Sequence, residues 1–199
     1  MRSLARLAGR FGLLAILGIS LAGCGVNNIP SQEEAAKAKW SQVLNQYQRR
    51  ADLIPNLVET VKGYAKQEAQ VLEAVVAARA RATSVQVPPD ILTNPEAFKK
   101  FQEAQTQLSG SLGRLLAISE NYPDLKSNQN FLALQSQLEG TENRISVARR
   151  DYIEAVQAYN TELKTFPGVI WASTLYKGNK PMETFTIAEE TKRPPQVKF

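Results

Sequence analysis

Between residues 31 and 166, apolar side chains recur at alternating spacings of three and four, the pattern of helices that each bury one face. Trp40, Val43, Tyr47 and Ile54 form the first stripe, and Val58, Val61, Ala65, Leu72 and Val75 the second. Phe98, Phe101, Leu108, Leu112, Leu115 and Tyr122 form the third. The fourth and longest runs through Phe131, Leu134, Leu138, Ile145, Ala148, Tyr152, Ala155, Tyr159 and Phe166, with Thr141 and Glu162 completing its phase. Four stripes predict four helices that cover one another.

Punctuation between the stripes supports this reading. Ser31 with Glu34 three residues on has the form of a capping box, and Asn94-Pro95 has the form of a cap followed by proline at the first helical position. Breaks fall at Leu53-Ile54-Pro55, at the loop 84–93 with Pro88-Pro89, and at Tyr122-Pro123-Asp124, because proline removes a helix hydrogen bond and disfavours a helical residue before it. The expected fold is all-α, an antiparallel up-and-down four-helix bundle with almost no strand. Length matching favours a turn at Pro55; the alternative is one rod kinked there, since the stripe continues in phase from Ile54 to Val61. Residues 167–199 change character, with Pro181, Pro194, Pro195 and separated aromatics Trp171, Tyr176, Phe185 and Phe199. They predict an extended, non-helical tail whose aromatics grip the bundle, the alternative being a disordered tail that binds something else.

The first 30 residues have a different logic. Arg2, Arg6 and Arg10 precede an apolar run from Phe11 to Leu21, and Leu21-Ala22-Gly23-Cys24 follows, containing the only cysteine of the chain. This layout resembles a lipoprotein signal peptide (1–23), implying cleavage between Gly23 and Cys24 and a diacylglyceryl thioether on Cys24. The apolar run is far shorter than the roughly 20 residues a spanning helix needs. Gly25 in place of an aspartate favours the periplasmic side of the outer membrane in a two-membrane cell. Residues 24–30 then read as a short tether holding the bundle (31–166) against the membrane.

Charge changes little once the leader is set aside. Removing its three arginines takes 24 basic residues to 21 against 19 acidic, a net charge of +2. With basic residues interleaved with acids along the helices, the clustered cations that phosphate binding requires are missing, so nucleic acid is not expected as a partner.

No catalytic constellation emerges. The chain has no histidine, which removes the commonest acid-base group near neutrality and the di-iron bundle motif. An acylated Cys24 leaves no thiol for nucleophilic or metal chemistry, so no cofactor and no metal are expected. Glu139 and Glu142 share a helix face and could act as acid and base, but surface charge is the simpler reading. More informative are charges that interrupt apolar stripes: Arg50 follows Trp40, Val43 and Tyr47, while Glu68 and Arg79 fall in phase with Val61, Leu72 and Val75. Such groups need partners, Glu142 and Arg149 among them, and Asn160 and Asn143 can bond across helices. The expected role is a structural polar network that sets helix register, with a ligand site as the alternative.

Several runs together resemble the LemA family: Tyr47-Gln-Arg-Arg50, Asp52-Leu-Ile-Pro-Asn-Leu-Val58, Val61-Lys-Gly-Tyr64, Glu120-Asn-Tyr-Pro-Asp-Leu-Lys126, Thr141-Glu-Asn-Arg-Ile145, Ala148-Arg-Arg-Asp-Tyr152, Tyr159-Asn160, Phe166-Pro167 and Pro195-Gln-Val-Lys-Phe199. Val26 and Ile153 depart from the family's usual Tyr and Asn. The resemblance implies a membrane-attached antiparallel helical bundle, here a lipoprotein-type member, without an established activity and leaning to a structural or interaction role. The expected function is therefore a non-enzymatic envelope scaffold that meets a protein partner. A small-ligand or lipid carrier and a carboxylate-based hydrolase are the alternatives.

Overall fold

The computed structural model describes residues 25–186. The expected leader (1–23) and Cys24, and residues 187–199 with Pro194, Pro195 and Phe199, lie outside the described residues. The elements are α1 (Asn28–Tyr64), a 3₁₀ turn (Lys66–Glu68), α2 (Ala69–Ser84), a second 3₁₀ turn (Ile91–Thr93), α3 (Pro95–Ser119), α4 (Pro123–Lys126), α5 (Gln129–Glu162) and α6 (Gly168–Thr174). Among the described residues there is no strand.

Helices α1 and α5 run antiparallel over their whole length. Asn28 donates to Glu162 at one end, and Asn128 donates to the Tyr64 hydroxyl at the other. At 37 and 34 residues they span about 55 and 51 Å at 1.5 Å per residue. Helix α2 turns back along the second half of α1, and α3 returns parallel to α1, so Trp40 meets Phe98 and, farther along, Arg50 meets Gln105. Because α2 has only 16 residues, the loop 85–94 and the extended segment 176–186 close the other half of the bundle.

The break expected at Pro55 is absent. Helix α1 continues through it and ends at Ala65, whose φ of −121° and ψ of 55° leave the helical region. Four long helices remain, but the first is longer and the second shorter than the proline suggested. The physical reason lies across the interface. Pro55 has no N–H to give to the carbonyl of Ala51, and the Arg79 Nε of α2 donates to that oxygen at 2.8 Å. Arg79 thus repairs the hydrogen bond that proline removes and fastens α2 to α1 in the same contact. Arg79→Ala is expected to cost about 1 to 3 kcal/mol by stranding this carbonyl. The cost should shrink in a Pro55→Ala background, where position 55 regains its own donor. A double-mutant cycle followed by urea unfolding measures the coupling.

Other boundaries also shift. Helix α1 begins at Asn28, so Ile29 and Pro30, expected in the tether, form its first turn with Ile29 fully buried. Ser31 is inside the helix, and its capping box does not form. Pro30 is tolerated because first-turn N–H groups have no intrahelical acceptor. At the other end α5 stops at Glu162, four residues before Phe166, and Phe166 is 80% exposed rather than on the buried seam. The tail is not wholly extended, since 168–174 is helical. Beyond it, 176–186 does run along the bundle with Phe185 buried, as expected of a gripping tail.

The cap at Asn94 forms: its Oδ1 accepts from the Ala97 N–H at 3.2 Å, with Pro95 opening α3.

Candidate functional site

The buried interior is two apolar clusters separated by one polar layer. The first gathers Trp40, Val43, Tyr47, Phe98, Phe101, Ile145, Tyr152, Val156, Tyr159 and Phe185. The second gathers Ile54, Leu57, Val61, Leu72, Leu108, Leu112, Leu115, Phe131 and Leu138. Arg50 of α1, Gln105 and Ser109 of α3 and Glu142 of α5 meet between the two sets, joined by the Ala82 carbonyl of α2.

Arg50 is the centre of the layer and is 1% exposed. Its Nη1 donates to Ser109 Oγ at 2.5 Å and to Glu142 Oε1 at 2.9 Å, and its Nη2 donates to Gln105 Oε1 at 2.6 Å. Gln105, itself buried, donates in turn to the Ala82 carbonyl of α2 at 3.4 Å. That carbonyl is one of the last four of its helix and has no intrahelical partner. The layer therefore ties together all four long helices. Glu142 keeps about 40% of its side chain exposed, so one end of the ion pair reaches water and only the cation is fully desolvated. Tyr47, with Arg50 5.0 Å from its ring centre, has its hydroxyl pushed above the usual range by burial, with Arg149 and Arg50 opposing the shift.

Of the proposed network residues, only Arg50 and Glu142 pair with each other. Arg79 repairs α1 as described. Glu68 accepts from the Tyr122 hydroxyl at 2.9 Å, and this bond raises the Tyr122 pKa. Arg149 lies 4.3 Å from the centre of the Phe185 ring. Asn160 serves the tail: it donates to the Met182 carbonyl at 2.9 Å and accepts from the Met182 N–H at 2.8 Å. The expected single network is thus several separate fasteners. Glu139 and Glu142 do not converge, because Glu139 is exposed and held by Gln135 while Glu142 turns to Arg50.

Residues not singled out in the sequence complete these devices. Gln102 grips Thr186 as Asn160 grips Met182, donating to its carbonyl at 2.7 Å. Tyr152 donates to the Glu183 carbonyl at 2.8 Å, and burial raises its pKa, so it remains a donor throughout the physiological range. Gln105 could have been found by the criterion that found Arg50, since it fills the gap in phase between Phe101 and Leu108.

The end of the bundle that carries Gly25 is equally specific. Gly25, directly after Cys24, has φ of 98°, a conformation glycine adopts without strain and an aspartate would not. Its carbonyl accepts from the Asn28 N–H at 3.0 Å. A side chain at Gly25 would begin 3.4 Å from Pro167, so the chain at Gly25 is in contact with the α5–α6 corner. That corner is tight: a Cβ on Gly168 would lie 2.2 Å from the Glu162 carbonyl oxygen.

Concavities are open grooves. One of about 620 Å³ lies between α1 and the segment 178–182, and one of about 660 Å³ lies between α1 and α2 around Val58, Leu72 and Val76. Among the described residues no helix is long and apolar enough to cross a membrane.

The profile of the LemA family matches residues 39–199. Three curated proteins are each 26% identical over 157 residues: magnetosome proteins MamQ 2 and MamQ 1 of Paramagnetospirillum magneticum and magnetosome protein MamQ of Magnetospirillum gryphiswaldense. The alignments cover 71% of this chain and 58% of each relative, so the chain spans less than two thirds of the relatives' length. Neither the family description nor these names denote an enzyme.

Proposed function

The chain belongs to the LemA family, and on that footing we propose that it is a lipid-anchored, non-enzymatic helical scaffold that recruits a protein partner to the cell envelope. Cys24 carries the acyl anchor, and the periplasmic face of the outer membrane is the destination in a two-membrane cell. The observation that carries this reading is the use made of the buried polar groups. The two terminal nitrogens of Arg50 both bond to other helices or their side chains, and Asn160 is occupied by the tail backbone. Glu142, the carboxylate that an acid-base pair would need, is taken by Arg50. What such a molecule offers to others is its outer surface. A carrier would require an enclosed hollow, whereas the grooves named above are open and the space between helices is filled by large side chains.

Two measurements test the proposal. Replacing Cys24 by Ala is expected to move the protein from the membrane to the soluble fraction or to leave the leader uncleaved. A processed Cys24→Ala form that still fractionates with membranes would contradict the lipid anchor. For the scaffold role, crosslinking in native membranes followed by purification of the full chain should give a partner in fixed stoichiometry that is lost from the Cys24→Ala form. Recovery of the chain alone at full crosslinking would reject that role.

A further inference from the structure

The end of the bundle where the leader enters carries a cluster of exposed apolar side chains. Phe166 is 80% exposed, Leu175 63%, Ile170 44% and Val169 40%. These are four of the nine large apolar residues exposed among those described, and they fall within one stretch of ten residues, 166–175. They stand on one short unit. Helix α6 turns Trp171 and Ala172 against the first apolar cluster, while Val169 and Ile170 point outward and Phe166 and Leu175 flank them. The unit is held in place by Gly168, packed against Glu162, so its outer face has a fixed orientation. Exposed Lys164 and Lys177 lie beside it.

What covers this face follows from where the preceding chain leaves. Gly25 packs on Pro167, at the base of the same unit. Cys24 is bonded directly to Gly25, which bounds the separation of their Cα atoms at about 3.8 Å. An acyl chain on Cys24 therefore enters the bilayer within a few residues' width of Phe166. We infer that Phe166, Val169, Ile170 and Leu175 insert into the headgroup–acyl boundary of the same membrane that holds Cys24, with Lys164 and Lys177 facing its phosphates. Large apolar groups flanked by lysines on a rigid unit are the composition of an interfacial membrane contact. The two acyl chains of a diacylglyceryl group already give stable attachment, so this second contact sets how the bundle is oriented rather than whether it stays. The contact also turns a flexible attachment into a seat: one end of the rod rests on lipid and the tip near Asn121 is held away from it. This inference rests on the reading of Cys24 as an anchor for where the bilayer lies.

The test uses the full chain, produced with its own leader so that acylation blocks Cys24 and leaves one engineered thiol. Ile170→Cys, or Asn121→Cys at the opposite end, is labelled with an environment-sensitive dye. The protein is then reconstituted into phosphatidylethanolamine–phosphatidylglycerol vesicles containing a nitroxide-labelled phospholipid. The label at 170 is expected to shift blue and to be quenched, while the label at 121 stays water-like. Adding Phe166→Ser and Val169→Ser, both at exposed positions, should weaken quenching at 170 by lowering the ratio of seated to unseated copies about tenfold. A water-like label at 170 on vesicle-bound protein overturns the inference and leaves the anchor standing. A blue-shifted but unquenched label that transfers energy between copies assigns the face to a second copy of the chain and also overturns it. Quenching at 170 that persists in a processed Cys24→Ala form still bound to vesicles upholds the lipid contact and shows that it does not depend on the anchor. Equal quenching at 121 and 170 overturns the seated orientation.

Discussion

Arg50→Ala is expected to destabilise the protein by about 3 to 5 kcal/mol, the largest effect of any single charge removal in the chain. The reason is the asymmetry of a buried ion pair. Removing the guanidinium strands the Gln105 and Ser109 oxygens, whose present partners are its two terminal nitrogens, and leaves Glu142 to water alone. It also opens a void between two apolar clusters that are otherwise filled. Arg50→Lys should recover little, because one ammonium cannot reproduce a planar fork that reaches Ser109 and Glu142 with one nitrogen and Gln105 with the other. Glu142→Gln should cost less than Arg50→Ala, since Glu142 is partly hydrated and its amide can still accept from Arg50. Urea unfolding of the three variants at constant m-value checks the order. Replacing the whole layer by apolar residues of similar volume, with Arg50→Met, Gln105→Leu and Glu142→Leu together, should regain most of the stability. A loss in this triple variant as large as in Arg50→Ala would show that the layer contributes more than the cost of leaving it half made.

The second large effect lies in the tail. Phe185→Ala is expected to remove about 3 to 5 kcal/mol, the usual cost of deleting a buried aromatic. The Phe185 ring lies 5.1 Å from Phe98, 5.7 Å from Tyr152 and 6.0 Å from Trp40, with Arg149 over its face. Its loss exposes Trp40, so the native tryptophan emission should move to longer wavelength. The segment 176–186 should at the same time become the first site of proteolysis. Asn160→Ala should release the same segment at smaller cost, because it removes two hydrogen bonds to Met182 rather than a packed ring. Tail attachment should also fail in alkali. Tyr152 has its pKa raised by burial, so the unfolded phenol ionises first. The stability it contributes is complete below about pH 10 and falls as the pH rises beyond that value. Unchanged emission and proteolysis in Phe185→Ala would mean that hydrogen bonds alone hold the tail.

Much of this architecture was legible in local patterns. The stripes through Trp40, Val43, Tyr47 and Ile54, through Phe98, Phe101, Leu108, Leu112 and Leu115, and through Phe131, Leu138, Ile145, Tyr152 and Tyr159 are buried as their spacing required. Asn94 caps α3, and Arg50 is buried and paired, as a charge within an apolar stripe must be. The helix boundaries at Ser31, Pro55 and Phe166 were misplaced because each rested on a short motif whose outcome depends on groups remote in the chain. Pro55 is the clearest example. A missing N–H ends a helix unless another donor reaches the stranded carbonyl, and here the donor arrives from Arg79, 28 positions later.

The sequence by itself determined that the bundle would be all-α, which faces would turn inward, and that charges such as Arg50 would interrupt those faces. These follow from period, capping and hydrophobicity, which act over a few residues. The tertiary structure alone decided where α1 ends, which amides grip the tail, and that Gly25 lies against Pro167 at the base of α6. Those depend on hydrogen-bond partners and packing neighbours that only the folded chain brings within a few ångströms.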